Sequence, residues 1–171
     1  MKEALIVVDM QRDFIDGVLG TKEAPLIVDN VAARIEKALA AGEAVYFTQD
    51  THGGDYLSTP EGRKLPVPHC LKGSAGWEIV PQIAKYVPQA VRVIEKPAFG
   101  LQHELAEFAG YDRLTLIGLC TDICVVSNAI LLKLYYMEKD IAVEAACCAG
   151  ITPEAHEAAL KVMRACQIEV L

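Results

Sequence analysis

Leu114-Thr115-Leu116-Ile117-Gly118-Leu119-Cys120-Thr121-Asp122-Ile123-Cys124-Val125 reads as a buried strand breaking into a helix. Residues 114–118 are apolar enough to be covered on both faces, as in a parallel sheet, and from 122 to 137 the apolar positions take up helical spacing. The same pair recurs on either side. Strands are expected at 4–8, 44–48, 91–95, 141–145 and 168–170, with helices at 26–41, 79–86, 101–109 and 153–165 between them. Gly42 and Gly110 sit where left-handed helix caps are wanted, and Thr152-Pro153 offers an N-cap followed by proline at the first helical position. Such alternation predicts an α/β fold of three layers, α/β/α, around a Rossmann-like central parallel sheet of about six strands, in a single domain over residues 1–171.

Composition narrows the classes of function. The hydrophobic share of 53% is high for a chain whose longest apolar stretch, 123–137, is broken by Ser127, Asn128 and Lys133 and is too short to span a bilayer. It points instead to buried strands and to surface covered in a homo-oligomer. A net charge of −7 argues against a nucleic-acid partner, which requires clustered Lys and Arg. Met1-Lys2-Glu3 runs straight into a strand with no secretory pattern, so a cytoplasmic location is expected, and the six cysteines read as free thiols. Of these, Cys147, Cys148 and Cys166 are expected to be buried packing residues.

In open parallel sheets ligands bind beyond the carboxyl ends of the strands. That edge carries Asp9 after the first strand, Gln49-Asp50 after the second, Lys96 after the third, and Leu119 to Asp122 after the fourth. Cys124 follows in the first turn of the next helix, where the positive end of the dipole and a nearby Lys96 would favour a thiolate. Asp9 would then serve as proton carrier for attack on an amide. His103 and His156 fall inside helices, which disfavours an ordinary Cys-His pair. Each residue type also has a plain structural use, as loop cap, snorkelling cation or buried thiol, and only their convergence argues for catalysis. Residues 50–76 stand out as a connection far longer than usual, carrying Gly53, Gly54, Gly62, Gly73 and Gly76 with Pro60, Pro66 and Pro68.

Three segments, Val7-Val8-Asp9-Met10-Gln11-Arg12-Asp13-Phe14, Glu95-Lys96-Pro97-Ala98-Phe99 and Gly118 to Val125, resemble the isochorismatase-like cysteine hydrolases, with nicotinamidases as the nearest functional subgroup. The resemblance spans nearly the whole chain. It implies Cys124 as nucleophile, Asp9 as general acid/base and Lys96 as the cation beside them. It also implies a cis peptide at Leu119-Cys120 and an oxyanion hole made by the backbone N–H groups of Cys120 and Cys124. Phe14 matches a pocket residue of the family, Leu119 is taken as lining with it, and Trp77 is read as structural.

Asp50-Thr51-His52 followed by His69 is similar to the metal-binding pattern of nicotinamidases, with Glu61 as a fourth candidate. Mixed nitrogen and oxygen ligands imply one divalent ion, zinc by default, with manganese or iron as alternatives. Pro66-Val67-Pro68 departs from the aromatic and two prolines that many nicotinamidases carry before the histidine. The activity implied is hydrolysis of a small aromatic carboxamide, nicotinamide to nicotinate and ammonia, through a Cys124 thioester. Within the family the alternative is another amide, ureido or vinyl-ether substrate. From a different class, a non-catalytic thiol redox or scaffold protein is suggested by the cysteines, of which Cys120 and Cys124 do not have redox C-x-x-C spacing.

Overall fold

In the computed structural model, which describes residues 1–171, Ala4-Leu5-Ile6-Val7-Val8 is buried along its whole length, as a central parallel strand must be. The chain runs β1 (Glu3–Val8), α1 (Arg12–Ile15), α2 (Val28–Ala41), β2 (Ala44–Asp50), α3 (Pro60–Lys64), α4 (Pro81–Ala84), β3 (Arg92–Lys96), β4 (Arg113–Leu119), α5 (Val126–Tyr135), β5 (Asp140–Ala149), α6 (Pro153–Ala165) and β6 (Glu169–Val170). All strand pairs are parallel, in the order β3-β2-β1-β4-β5-β6.

Alternation along β1 makes the three layers. Leu5 and Val7 join the core closed by Val31, Ile35 and Ala38 of α2, whereas Ala4, Ile6 and Val8 join the core closed by Ala129 and Leu132 of α5 and Leu160 and Met163 of α6. Burying each such aliphatic side chain favours the fold by roughly 1.5 to 3 kcal/mol. The chain builds β2 and β3 to one side of β1 and returns to place β4 on the other. That reversal opens a crevice at the carboxyl ends of β1 and β4. Gly118 lets the two strands close up: its φ is 112°, and a Cβ there would lie 2.2 Å from the Val8 carbonyl oxygen.

Several elements differ from the expected ones. The helix at 79–86 shrinks to α4 and a 3-10 turn at Val87–Gln89, because Pro81 starts one and Pro88 begins the other. The segment at 101–109 is a 3-10 helix, His103–Gly110, and Gly110 is not a left-handed cap. Its last carbonyls, Phe108 and Ala109, accept from the Lys139 ammonium, and the Leu105 carbonyl accepts from the Tyr136 hydroxyl, which removes the need for one. Strand β5 runs on to Ala149 through a bulge opposite Leu116 and Gly118, sending Cys147 into one core and Cys148 into the other. Cys166 is exposed, contrary to its reading as a packing residue: it is the C-cap of α6, outside the helix, whose last buried position is Met163. Gly42 (φ 76°) and Thr152-Pro153 cap α2 and α6 as expected. The long connection after β2 is partly helical, holding Tyr56–Ser58, α3 and Ala75–Trp77.

Candidate active site

Asp9 is the first residue beyond β1 and takes a left-handed backbone (φ 47°), which aspartate tolerates better than most residues. Its N–H donates to the Thr48 carbonyl and hydroxyl oxygens, each at 3.2 Å, and its Oδ1 accepts from the Thr48 hydroxyl at 2.6 Å. Oδ2 lies 2.6 Å from Lys96 Nζ in a fully buried ion pair. Lys96 ends β3 and is 1% exposed. Besides Asp9, its ammonium reaches the Ala98 carbonyl (3.1 Å), Asp50 Oδ1 (3.5 Å) and Cys124 Sγ (3.5 Å).

Cys124 stands in a π-helical turn, Thr121–Val125, that leads into α5, and the Leu119-Cys120 peptide before it is cis. Side chains that sequence reading left out hold this turn. Asn128 donates to the carbonyls of Cys124 (2.7 Å) and Phe99 (3.1 Å) and accepts from the Leu101 N–H (2.8 Å), tying the turn to the segment after β3. His156 lies inside α6 as expected, yet its Nδ1 is 2.8 Å from the Thr121 hydroxyl, and Asp122 Oδ1 accepts from the Ile151 N–H at 3.0 Å. Only tertiary packing brings these together, so no local pattern announces them.

The electrostatics correct one expectation. Burial pushes the Cys124 thiol well above its ordinary range, the Asp9 carboxylate adds to that, and Lys96 opposes both without prevailing, which works against a thiolate. Burial also raises Asp9 against the pull of Lys96. Lys96 itself would be lowered by burial, but Asp9, Cys124 and Asp50 hold it above the ordinary lysine range and keep it charged. One fixed cation thus faces both a carboxylate and a thiol.

Beside this group, Asp50 Oδ2 lies 3.0 Å from His52 Nε2 and 3.5 Å from His69 Nε2, with the candidate ligand atoms of the three within 4.8 Å of one another. Glu61 Oε1 is 3.8 and 3.9 Å from the same two nitrogens. Thr59 places it, accepting the Gly62 N–H at 3.0 Å, and Gly62 packs on the Tyr56 carbonyl where no Cβ would fit. The Tyr56 ring packs on both imidazoles, at 4.8 and 5.0 Å between centroids. His69 Nδ1 donates to the Val67 carbonyl at 2.8 Å, which fixes the ring with Nε2 toward the cluster, as the second ring nitrogen of a metal-binding histidine is commonly held. Burial alone would raise Asp50, but hydrogen bonds from His52 and His69 and the nearby Lys96 hold its carboxyl below the usual carboxylate range. An ionised carboxylate and two such imidazoles fit a divalent ion.

Between the two groups lies a cavity of about 50 Å³, lined by Phe14, Leu19, Leu65, Phe99 and Ile123 and by Asp50, Glu61, His69, Cys120 and Cys124. Phe14 lines it as expected, with its ring 5.7 Å from that of His69. Leu119 does not: the inward-facing side of β4 buries it completely in the α2-side core. Leu19 lies in a stretch with no marker and Leu65 within the long connection after β2, whereas Phe99 and Ile123 sit inside the segments resembling the family. Trp77 is structural, donating through Nε1 to the Thr51 hydroxyl at 2.9 Å.

Residues 3–171 match the Isochorismatase domain. The chain belongs to the isochorismatase family. As an isochorismatase-family protein it is similar to the pyrazinamidase of Pyrococcus horikoshii solved in complex with zinc, at 30% identity and a TM-score of 0.84 over 100% of this chain and 99% of that one. It is also similar to the nicotinamidase/pyrazinamidase PncA of Bacillus subtilis, at 28% identity and a TM-score of 0.87 over 99% of each chain. The N-carbamoylsarcosine amidase of Thermoplasma acidophilum matches at 32% identity and a TM-score of 0.80 over 99% of this chain and 95% of that one.

Proposed function

We propose that this isochorismatase-family chain hydrolyses a small aromatic carboxamide, nicotinamide to nicotinate and ammonia, in a single domain working in the cytoplasm. It is an amide-cleaving hydrolase, in keeping with its family and with the nicotinamidase and amidase neighbours. The observation that carries the reading is the buried contact of Asp9, Lys96 and Cys124, whose sulfur lines a cavity that Asp50 and His69 of the Asp50-His52-His69 group also line.

In this reading the substrate ring lies against Phe14, Phe99 and Ile123, with its carboxamide carbon at Cys124 Sγ. The thiol proton passes to Asp9 Oδ2, the oxygen paired with Lys96, as sulfur attacks the carbonyl carbon. Lys96 stays charged throughout and offsets the negative charge as it moves from carboxylate to sulfur. Backbone N–H groups of Cys120 and Cys124 hold the oxyanion, a donor of this kind being worth about 10² to 10³ in rate. Asp9 then protonates the departing amine, ammonia leaves, and a thioester remains on Cys124. Asp9 next takes a proton from the water that attacks the thioester, and the carboxylate is released.

Asp50, His52 and His69, with Glu61 at the edge of the set, would hold one divalent ion. Zinc is the default, being the ion bound by the Pyrococcus neighbour. Such an ion supplies a Lewis acid that polarises and orients a bound ligand. The decisive test is ammonia release from nicotinamide by zinc-replete protein, with Cys124→Ala as control and N-carbamoyl amines and other amides alongside. Release lost in Cys124→Ala supports the reading, whereas turnover of only a carbamoyl compound would keep the catalytic group and replace the substrate.

A further inference from the structure

Gln11 is buried and makes no contact with the cavity, yet it is tied to Asp50 more tightly than any other side chain in the fold. Strand β1 turns away from β2 at Asp9, so the last β1-to-β2 backbone bond is Asp9 N–H to the Thr48 carbonyl. Residues two apart on a strand face the same neighbour, so the N–H and C=O of Asp50 point into the gap that β1 has left. The Gln11 side chain fills that gap as a substitute peptide unit. Its Oε1 accepts the Asp50 N–H at 2.7 Å and its Nε2 donates to the Asp50 carbonyl at 2.9 Å, with a second donation to the Trp77 carbonyl at 2.9 Å. The Gln11 backbone N–H donates to the Asp9 carbonyl at 2.7 Å, so the clasp spans the ends of both strands.

Asp50 needs such a clasp because its carboxylate faces two ways: Oδ2 toward His52 and His69, Oδ1 toward Lys96. A small rotation of its backbone would move one oxygen out of the histidine set and the other away from the ammonium. We propose that Gln11 is a positioning residue for the metal site, fixing the Asp50 carboxylate by completing the sheet edge behind it. This rests on the metal reading of Asp50, His52 and His69 given above.

Outer partners of metal ligands typically contribute 10- to 100-fold in metal affinity. Gln11→Glu keeps the shape and the acceptor for the Asp50 N–H but turns the donor facing two carbonyls into an acceptor, and Gln11→Leu removes all three bonds. The zinc dissociation constant, by competition with a chromophoric chelator, and the ligand-field absorption of the cobalt(II)-loaded protein are measured for the intact chain and both variants. Circular dichroism establishes the temperature at which each is folded. Weakening of 10- to 100-fold with an altered cobalt spectrum in folded protein is expected. Affinities within threefold and an unchanged spectrum would leave Gln11 a purely structural filler and overturn the proposal. Wild-type zinc uptake that Asp50→Ala abolishes separates the two readings, since a wild type that takes up no zinc overturns the metal assignment itself.

Discussion

Replacing Asp9 with asparagine should move two properties of Cys124 in opposite directions. The substitution keeps the shape and the oxygen that accepts from Thr48 at 2.6 Å, but removes the charge that raises the thiol and neutralises Lys96. The ammonium then stands 3.5 Å from sulfur without its main counterion. At an effective dielectric of about 20, a unit charge at that separation is worth up to about 5 kcal/mol, or at most ~3.5 pK units. Asp50 still shares the ammonium, at 3.5 Å, so a fall of about one unit is the reasoned expectation. Alkylation of Cys124 by iodoacetamide at pH 7.5, followed by peptide mass spectrometry to set aside the exposed Cys166, should therefore be about tenfold faster in Asp9→Asn. Amide hydrolysis should fall by about 10² to 10⁴, the usual contribution of a general acid/base. Alkylation that is unchanged or slower would refute the view that Asp9 raises the Cys124 thiol. Hydrolysis within tenfold of wild type would refute its role as proton carrier.

Lys96→Met leaves the buried Asp9 without a countercharge and should cost about 3 to 5 kcal/mol in urea unfolding at pH 8. The deficit should shrink toward pH 5: a folded-state Asp9 pKa raised above its unfolded value gives stability that is full at low pH and is lost as pH rises through that value. A deficit equal at both pH values contradicts this. Gly118→Ala would set a Cβ against the Val8 carbonyl at a φ of 112°, and a loss of about 3 kcal/mol by the same method is expected, with a wild-type midpoint counting against the close approach of β1 and β4. Leu134, Tyr135 and Met137 are exposed together at the end of α5, and light scattering at micromolar concentration should give a dimer or larger closed oligomer, a monomer being the contrary result.

Strand positions, the parallel sheet and the edge that carries the chemistry were legible because burial on both faces forces continuous apolar runs, and because a strand end places the next residue at the ligand crevice. Asp9, Asp50, Lys96 and Cys124 could be read in that way, and Asp50, His52 and His69 from their spacing and resemblance. The weaker helices were less legible. Proline spacing and carbonyls satisfied by Tyr136 and Lys139 turned expected α-helix into short 3-10 pieces, and such partners are distant in sequence.

What the sequence by itself determined is therefore the alternation of strand and helix and the identity of the reactive side chains. Tertiary structure alone decided their surroundings. Cys124 sits where a thiolate would be expected from its turn and its lysine, but the depth of burial and the nearness of Asp9 push the thiol the other way, since desolvation depends on everything packed around a group rather than on its neighbours in the chain. The same holds for Leu119, turned into the core by the alternation of β4, and for Gln11, whose amide completes a strand edge formed by residues thirty-nine positions away.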